Sequence, residues 1–214
     1  PGIHPPKQQC RWRDVTPPFM APETNSSAAS AIGNFLRFLD AEVFRELGYL
    51  YSLRDGNLLG AMRHGGLIPG DRDLDAVILL PTDEGLDSVR DVIAARIAAR
   101  GLPFKLQVNN DGKSRWLVFL QANALDAAAP HHADIIVYPS ALFAPPVRGF
   151  DGASVYSTRV QKAFAGLCFC GHWPLPRAAC FEDAPAYLKG LYGDVHVRTG
   201  VHAHGANVLE EVYV

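Results

Sequence analysis

The hydrophobic positions of the chain first separate its helices from its strands. Apolar residues recur at three- and four-residue steps over residues 30–47, which predicts an amphipathic helix. Gly48 follows, where a glycine commonly ends a helix. The same helical spacing covers residues 57–63, 86–99 and 184–192.

Other apolar runs are too short for helices and predict strands. Residues 76–80 are five apolar residues in a row before Pro81, as expected of a buried strand. Shorter runs at 49–53 and 133–138 predict two more strands, and 104–108 with 116–120 predict a pair around a turn at 109–113. Together these segments predict an α/β (α+β) domain with a mixed β-sheet flanked by helices.

This domain is expected to occupy residues 30–198. Residues 1–29 are rich in proline, serine and polar residues without periodicity, which predicts an irregular N-terminal arm. Residues 199–214 are assigned to a C-terminal tail. The loop-rich section after Pro146 carries no clear strand or helix pattern.

Composition narrows the class of protein. The 214 residues carry a formal net charge of −2, which argues against a nucleic-acid partner, because phosphate contacts need a basic surplus. No apolar run reaches the ~20 residues of a membrane-spanning helix. Since the chain begins at Pro1, an upstream anchor or targeting segment is left open, with a secretory (Golgi) lumen expected in a eukaryote and the cytoplasm in a bacterium.

The four cysteines leave several alternatives open. Cys168, Cys170 and Cys180 lie close together in sequence with His172, and Cys10 stands apart. A structural Zn²⁺ site is one alternative, although this spacing is not a common zinc pattern. Disulfides or free thiols are favoured over zinc.

The chemically informative feature is a run of alternating aspartates, Asp71, Asp73 and Asp75. On an extended strand, this spacing places all three carboxylates on one face. Clustered carboxylates repel one another, and a hard divalent cation such as Mg²⁺ or Mn²⁺, which prefers oxygen ligands, relieves that repulsion. An exposed acidic turn is the alternative. A calcium loop of the EF-hand type is excluded by Ala76 and Thr82, where glycine and glutamate are needed.

Upstream residues suggest how phosphates would be bound. Gly60 and Ala61 form a small pair, interpreted as a helix start whose N–H groups approach phosphate oxygens. Arg63 and His64 are expected to reach the same phosphates, Arg63 through a bidentate fork. A solvated surface turn is the alternative for these two residues.

Downstream, Asp134 interrupts the apolar strand at 133–138. A carboxylate there is costly unless it is paired or bound to a metal. Together with Asp73 and Asp75 it is predicted to form a third metal-binding and catalytic carboxylate; a structural hydrogen bond at a strand end is the alternative.

These motifs, in this order, resemble those of the LicD, fukutin and fukutin-related protein family. The segment DGNLLGAMRHGGLIPGDRDLDAVI is similar to the family's core motif, and Asp134-Ile135 is similar to its later Asp-Ile segment. Pro174-Leu175-Pro176 and the stretch 186–194 are similar to its closing motifs. The chain departs from the family at Gly70, where an aromatic residue is common, and at Arg72, where an acid is common.

The resemblance implies a nucleotidyltransferase-like fold and a metal-dependent phosphotransferase. Such an enzyme moves a phosphorylated alcohol, such as phosphocholine, ribitol phosphate or glycerol phosphate, from a CDP-activated donor to a glycan hydroxyl. Asp73, Asp75 and Asp134 would hold Mg²⁺, and Gly60, Ala61, Arg63, His64 and Asp71 would contact or support the donor. Two alternatives are a nucleotidyltransferase that attaches an NMP to an acceptor and a non-catalytic relative that binds a glycan or a partner.

Overall fold

The computed structural model describes residues 6–12, 22, 24, 25, 27–79, 86–102, 104–110, 115–121, 132–138, 166–193, 200–202 and 208–210. These residues form four α-helices: α1 (Ser27–Phe38), α2 (Asp55–Arg63), α3 (Leu86–Ala99) and α4 (Ala184–Tyr192). A π-helical segment, Leu39–Arg45, continues directly from α1. The strands are β1 (Leu50–Leu53), β2 (Asp73–Leu79), β3 (Phe104–Asn110), β4 (Arg115–Gln121), β5 (His132–Tyr138), β6 (Leu167–Phe169), β7 (Ala179–Phe181), β8 (Gly200–His202) and β9 (Val208–Glu210).

Five strands form the central sheet in the order β1-β2-β5-β4-β3. The central pair, β2 and β5, is parallel, and the other neighbours are antiparallel. Every residue of β2 is buried, as expected of a strand covered on both faces. Helices pack against this sheet. The predicted α/β architecture with a mixed sheet flanked by helices is therefore confirmed.

The first helix differs from a plain α-helix. It begins at Ser27, and its second half, from Leu39, has π-helical hydrogen bonding. There Asp40 is buried, accepts a hydrogen bond from the Tyr51 hydroxyl at 2.8 Å, and pairs with Arg45 at 2.6 Å. Gly48 ends the helical segment with φ of +71°, which confirms the predicted glycine stop.

The N-terminal arm is more ordered than its composition suggests. Cys10 is fully buried, joined to Cys168 by a disulfide and hydrogen-bonded through its N–H to the Phe169 carbonyl at 3.0 Å. The Trp12 indole N–H donates to the Phe181 carbonyl at 3.2 Å. Residues 6–12 therefore pack on the β6–β7 hairpin. The only strand-like pairing of residues 6–10 is an isolated bridge between Gln9 and Phe169, so a disulfide and backbone hydrogen bonds, and not periodicity, order this part of the arm.

The β6–β7 hairpin and the β8–β9 pair were not predicted. Each strand has only three residues, too few for the alternation that identifies a strand in sequence. The predicted loop after Pro146, the turn at 111–113 and the strand end at Leu80 lie outside the described residues. In the described ranges, no helix combines the length and apolarity that crossing a membrane demands.

Candidate active site

The central parallel pair of strands sets three aspartates on one face of the sheet. Asp73 and Asp75 are two residues apart on β2, so their side chains share a face. Asp75 lies directly opposite Asp134 on the parallel strand β5, and residues opposite each other in a sheet also share a face. The strand register therefore places Asp73, Asp75 and Asp134, referred to together as the carboxylate group, on neighbouring strands near the middle of the sheet.

An arginine that the sequence reasoning missed lies within this group. Arg54 Nη2 is 2.9 Å from Asp75 Oδ1, and Arg54 Nη1 pairs with Asp55. Its backbone N–H donates to the Asp75 carbonyl at 3.1 Å. Arg54 follows β1 directly, and β1 pairs antiparallel with β2. Its cationic group is therefore placed against Asp75 by strand pairing.

Asp55 adds a fourth carboxylate at the start of α2. Its backbone has φ of +44°, an uncommon conformation for a residue other than glycine that aspartate tolerates better than most. The Tyr187 hydroxyl from α4 donates to Asp55 Oδ1 at 2.8 Å. Because Asp55 binds both Tyr187 and Arg54, it links helix α4 to the carboxylate group.

Asn57, on the first turn of α2, fixes the start of β2. Its Oδ1 accepts the Asp75 N–H, and its Nδ2 donates to the Asp73 carbonyl at 3.3 Å. One side chain thus satisfies backbone groups of both aspartates. The Asn57 amide, with both a donor and an acceptor, suits this double contact.

The site carries an excess of negative charge. Burial raises the pKa of Asp75 from 3.8 to about 7; the Arg54 guanidinium opposes this effect, and the Asp55, Asp73 and Asp134 carboxylates add to it. The charged form of Asp75 is therefore costly even beside an arginine. A bound cation or proton would relieve that cost.

The donor chemistry of this group fits a hard divalent cation, since the nearby ligands are carboxylate oxygens. In the part of the chain that the structure describes, however, no three His, Cys, Asp or Glu side chains converge as a ready metal-binding set. Arg54 pairs with one oxygen of Asp75. The residue types and strand positions fit a magnesium site, whereas the side-chain conformations are those of an arginine-paired site.

Asp71 lies just before β2 and is buried. Its Oδ1 accepts the Arg72 N–H at 3.0 Å, and its own N–H donates to the Ile68 carbonyl at 3.0 Å. These are the contacts of a turn. They suit the supporting role predicted for Asp71. Asp71 lies outside β2, which begins at Asp73.

Gly60 and Ala61 do not lie at a helix start, so that interpretation is wrong. The helix α2 begins at Asp55, and both residues are buried in its second half. A Cβ on Gly60 would lie 2.4 Å from the Gly66 carbonyl oxygen. The physical reason for a glycine here is therefore the close approach of the following turn. Gly56 and Asn57 occupy the first turn instead.

Arg63 and His64 are buried, so the alternative of a solvated turn is wrong. Arg63 is the last residue of α2 and His64 follows it. Burial lowers the pKa of His64 from 6.5 to about 4, with a further lowering from the Arg63 guanidinium. His64 is therefore neutral at pH 7 and brings no positive charge to a phosphate.

The cysteines are paired as two disulfides, Cys10–Cys168 and Cys170–Cys180. Their sulfurs are therefore not available as zinc ligands in this structure. Of the three alternatives that the sequence left open for the cysteines, the structure has the disulfides.

Among solved structures, the chain is similar to terminal uridylyl transferase 4 from Trypanosoma brucei with bound GTP: 12% identity over 72% of this chain and 43% of that chain, with a TM-score of 0.35. The same enzyme with bound dUTP gives 12% identity, 65% and 40% coverage, and a TM-score of 0.32. The chain thus spans less than half the length of that enzyme. No curated protein matches the chain.

The family comparison is more informative. Residues 48–139 match the family model described as "LicD/FKTN/FKRP, nucleotidyltransferase domain". This segment holds Arg54, Asn57, Asp73, Asp75 and Asp134, the residues that form or support the carboxylate group. The match supports a transferase. Together with the mixed sheet and its paired aspartates, it supports the resemblance of residues 48–139 to the nucleotidyltransferase domain of the LicD/FKTN/FKRP family.

Proposed function

We propose that this chain transfers a phosphorylated alcohol from a CDP-activated donor to a sugar hydroxyl of a glycan. The observation that carries the proposal is the register of β2 and β5, which sets Asp134 directly opposite Asp75 and on the face shared with Asp73. In the reaction, the donor's diphosphate P–O bond breaks and a new P–O bond forms to the acceptor oxygen. The acceptor hydroxyl loses its proton, and CMP leaves.

Asp73, Asp75 and Asp134 are the residues that would hold Mg²⁺ (or Mn²⁺). When bound, the ion neutralises charge on the donor diphosphate and on the leaving CMP. Asp134 is only partly buried, so it can also meet the acceptor. We assign it to complete the set of metal ligands or to orient and deprotonate the hydroxyl.

Arg54 is the cation that contacts the carboxylate group in this structure. It contacts Asp75 directly, whereas Arg63 closes the opposite end of α2. By binding Asp55 and Asp75 together, Arg54 keeps two repelling carboxylates in a fixed arrangement. We assign it as a positioning residue, supported by the paired contacts of Asn57.

The compartment is part of the same proposal. Disulfides persist in oxidising compartments and are rare in a reducing cytoplasm. Two of them hold residues 6–12 and the β6–β7 hairpin. We therefore favour a secretory lumen over the cytoplasm.

The first experiment is calorimetric titration of the protein with CDP-choline, CDP-ribitol, CDP-glycerol and CTP, each with and without Mg²⁺. The proposal expects Mg²⁺-dependent binding of one CDP-alcohol, lost in Asp73→Asn and in Asp75→Asn. Asp91→Asn is the matched control, because it removes an exposed carboxylate paired with Arg90 on α3.

Product analysis separates the alternatives. Release of CMP supports phosphoalcohol transfer, whereas a preference for CTP with release of pyrophosphate would indicate attachment of an NMP. Absence of nucleotide binding under all conditions would favour a non-catalytic relative. Full activity in both aspartate variants would refute the assignment of the site.

A further inference from the structure

A second concave site lies away from the carboxylate group. It is a cavity of about 580 Å³, within the range of small-molecule sites. Its lining includes Gln9 from the arm, Gly65 from the turn after α2, and His172, Trp173 and Pro174 from the turn between β6 and β7. Three separate parts of the chain therefore meet around it, and the proposed chemistry uses none of these residues.

Trp173 is the distinctive residue of this cavity. Of the described large hydrophobic side chains it is the one classed as exposed, with 37% of its surface accessible. An indole ring that stays exposed offers a flat apolar face with a polar N–H edge. Because Trp173 also lines the cavity, its exposed surface is available to a ligand there.

The backbone of Trp173 is held firmly in place. Its N–H donates to the Gly65 carbonyl at 2.7 Å, and its own carbonyl accepts from His172 Nδ1 at 2.8 Å. A Cβ on Gly66 would lie 3.0 Å from the Trp173 Cβ, so the absence of a side chain at Gly66 allows this close packing. Because the ring's attachment is fixed before a ligand arrives, binding loses little conformational entropy.

The charge of the cavity indicates the class of ligand. Its described lining contains no Asp, Glu, Lys or Arg. Arg177 lies nearby in sequence, but its guanidinium is placed over the Phe169 ring, 4.5 Å from the centroid. The described lining therefore offers a phosphate or diphosphate no guanidinium or ammonium group. A neutral ligand with an apolar face and hydroxyl groups fits an indole face beside the Gln9 amide, and a sugar ring has this combination.

The cavity is also set apart from the reacting centre. Gly65 follows the C-terminal end of α2, whereas Arg54 and Asp55 at its other end touch the carboxylate group. A nine-residue helix is about 13 Å long at ~1.5 Å per residue. A ligand in the cavity therefore lies about one helix length from the aspartates.

We propose that this cavity is a subsite for a neutral sugar unit of the glycan acceptor, remote from the hydroxyl that reacts, with Trp173 as its stacking platform. The assignment of this sugar unit to the acceptor rests on the proposed function. Its binding test does not depend on turnover.

The test uses five neutral trisaccharides as probes: chitotriose, maltotriose, cellotriose, mannotriose and xylotriose. Each is titrated by calorimetry into the full chain without nucleotide. We expect at least one to bind saturably, with about tenfold weaker affinity in Trp173→Ala, since loss of one aromatic contact corresponds to about 1.4 kcal/mol. Trp173→Phe keeps an aromatic face and should retain most of the affinity, which also guards against misfolding of the alanine variant.

The variant Asp75→Asn separates this proposal from the reaction. Trisaccharide binding should be unchanged in it, even if CDP-alcohol binding is lost. Where turnover is measurable, Trp173→Ala should raise KM for the glycan and leave kcat and the donor Kd unchanged. The subsite is refuted if none of the probes binds, if Trp173→Ala binds them equally well, or if CMP displaces them, which would assign the cavity to the donor's base.

Discussion

Replacing Asp75 with asparagine should change how the stability of the protein depends on pH. In the folded chain the pKa of Asp75 is raised from 3.8 to about 7, first by burial and then by the neighbouring carboxylates, against the effect of Arg54. Between these two pH values the folded chain keeps a proton that the unfolded chain releases. Asp75 therefore makes the free energy of unfolding fall as pH rises from about 4 to about 7.

The size of this effect follows from the two pKa values. One pKa unit corresponds to about 1.36 kcal/mol, so the change from 3.8 to about 7 amounts to about 4 kcal/mol. Asparagine does not titrate, and the difference in stability between Asp75→Asn and the wild type should grow by about this amount from pH 4 to pH 8. His64, whose pKa is lowered to about 4, gives the opposite slope below pH 6.5, but it does so in both proteins and cancels in the difference.

The assay is urea unfolding of both proteins at six pH values from 4 to 8, with EDTA present and the disulfides intact. Asp91→Asn serves as control, because its exposed ion pair with Arg90 contributes little to stability, and its profile should run parallel to the wild type. A constant difference between Asp75→Asn and the wild type across this range would refute the reasoning that the charged form of Asp75 is costly where it lies.

Three further substitutions test the surroundings of the site by the midpoint of urea unfolding. Gly60→Ala should destabilise the fold by about 1–3 kcal/mol through overpacking, since its Cβ would meet the Gly66 carbonyl oxygen at 2.4 Å; no loss would contradict the close approach. Asn57→Ala leaves two backbone groups of β2 without their side-chain partner, and should cost about 1–3 kcal/mol. Tyr51→Phe removes the hydroxyl that joins Asp40 to the Ala179 N–H, at a similar cost of about 1–3 kcal/mol; wild-type stability in either variant would contradict these bonds.

The sequence could predict the part of the site that depends on local spacing. Asp73 and Asp75 share a face because a strand alternates with period two, whatever surrounds it. Asp134 was identified as a charge out of place in an apolar strand, and the structure places it opposite Asp75. Its role in metal binding stays a prediction.

The rest depends on contacts between distant segments. Arg54 pairs with Asp75, 21 positions later, because β1 lies antiparallel to β2, and no local pattern signals that pairing. Gly60 was interpreted as a phosphate contact because a small residue permits close approach; the approaching group is the Gly66 carbonyl oxygen. The sequence thus indicated a close approach to Gly60, but only the fold identifies the approaching group as the Gly66 carbonyl oxygen.

The disulfide between Cys10 and Cys168 gives the chain a covalent topology of its own. It joins residues 158 positions apart, so all five strands of the central sheet lie inside one closed ring. A single proteolytic cut within that ring would leave both pieces attached, to be separated only after reduction. The disulfide also lowers the conformational entropy of the unfolded chain. In the chain-entropy description, closing so long a loop stabilises the fold by about 5 kcal/mol. The carboxylate group therefore lies within a covalently closed loop whose two ends, Cys10 and Cys168, cannot drift apart.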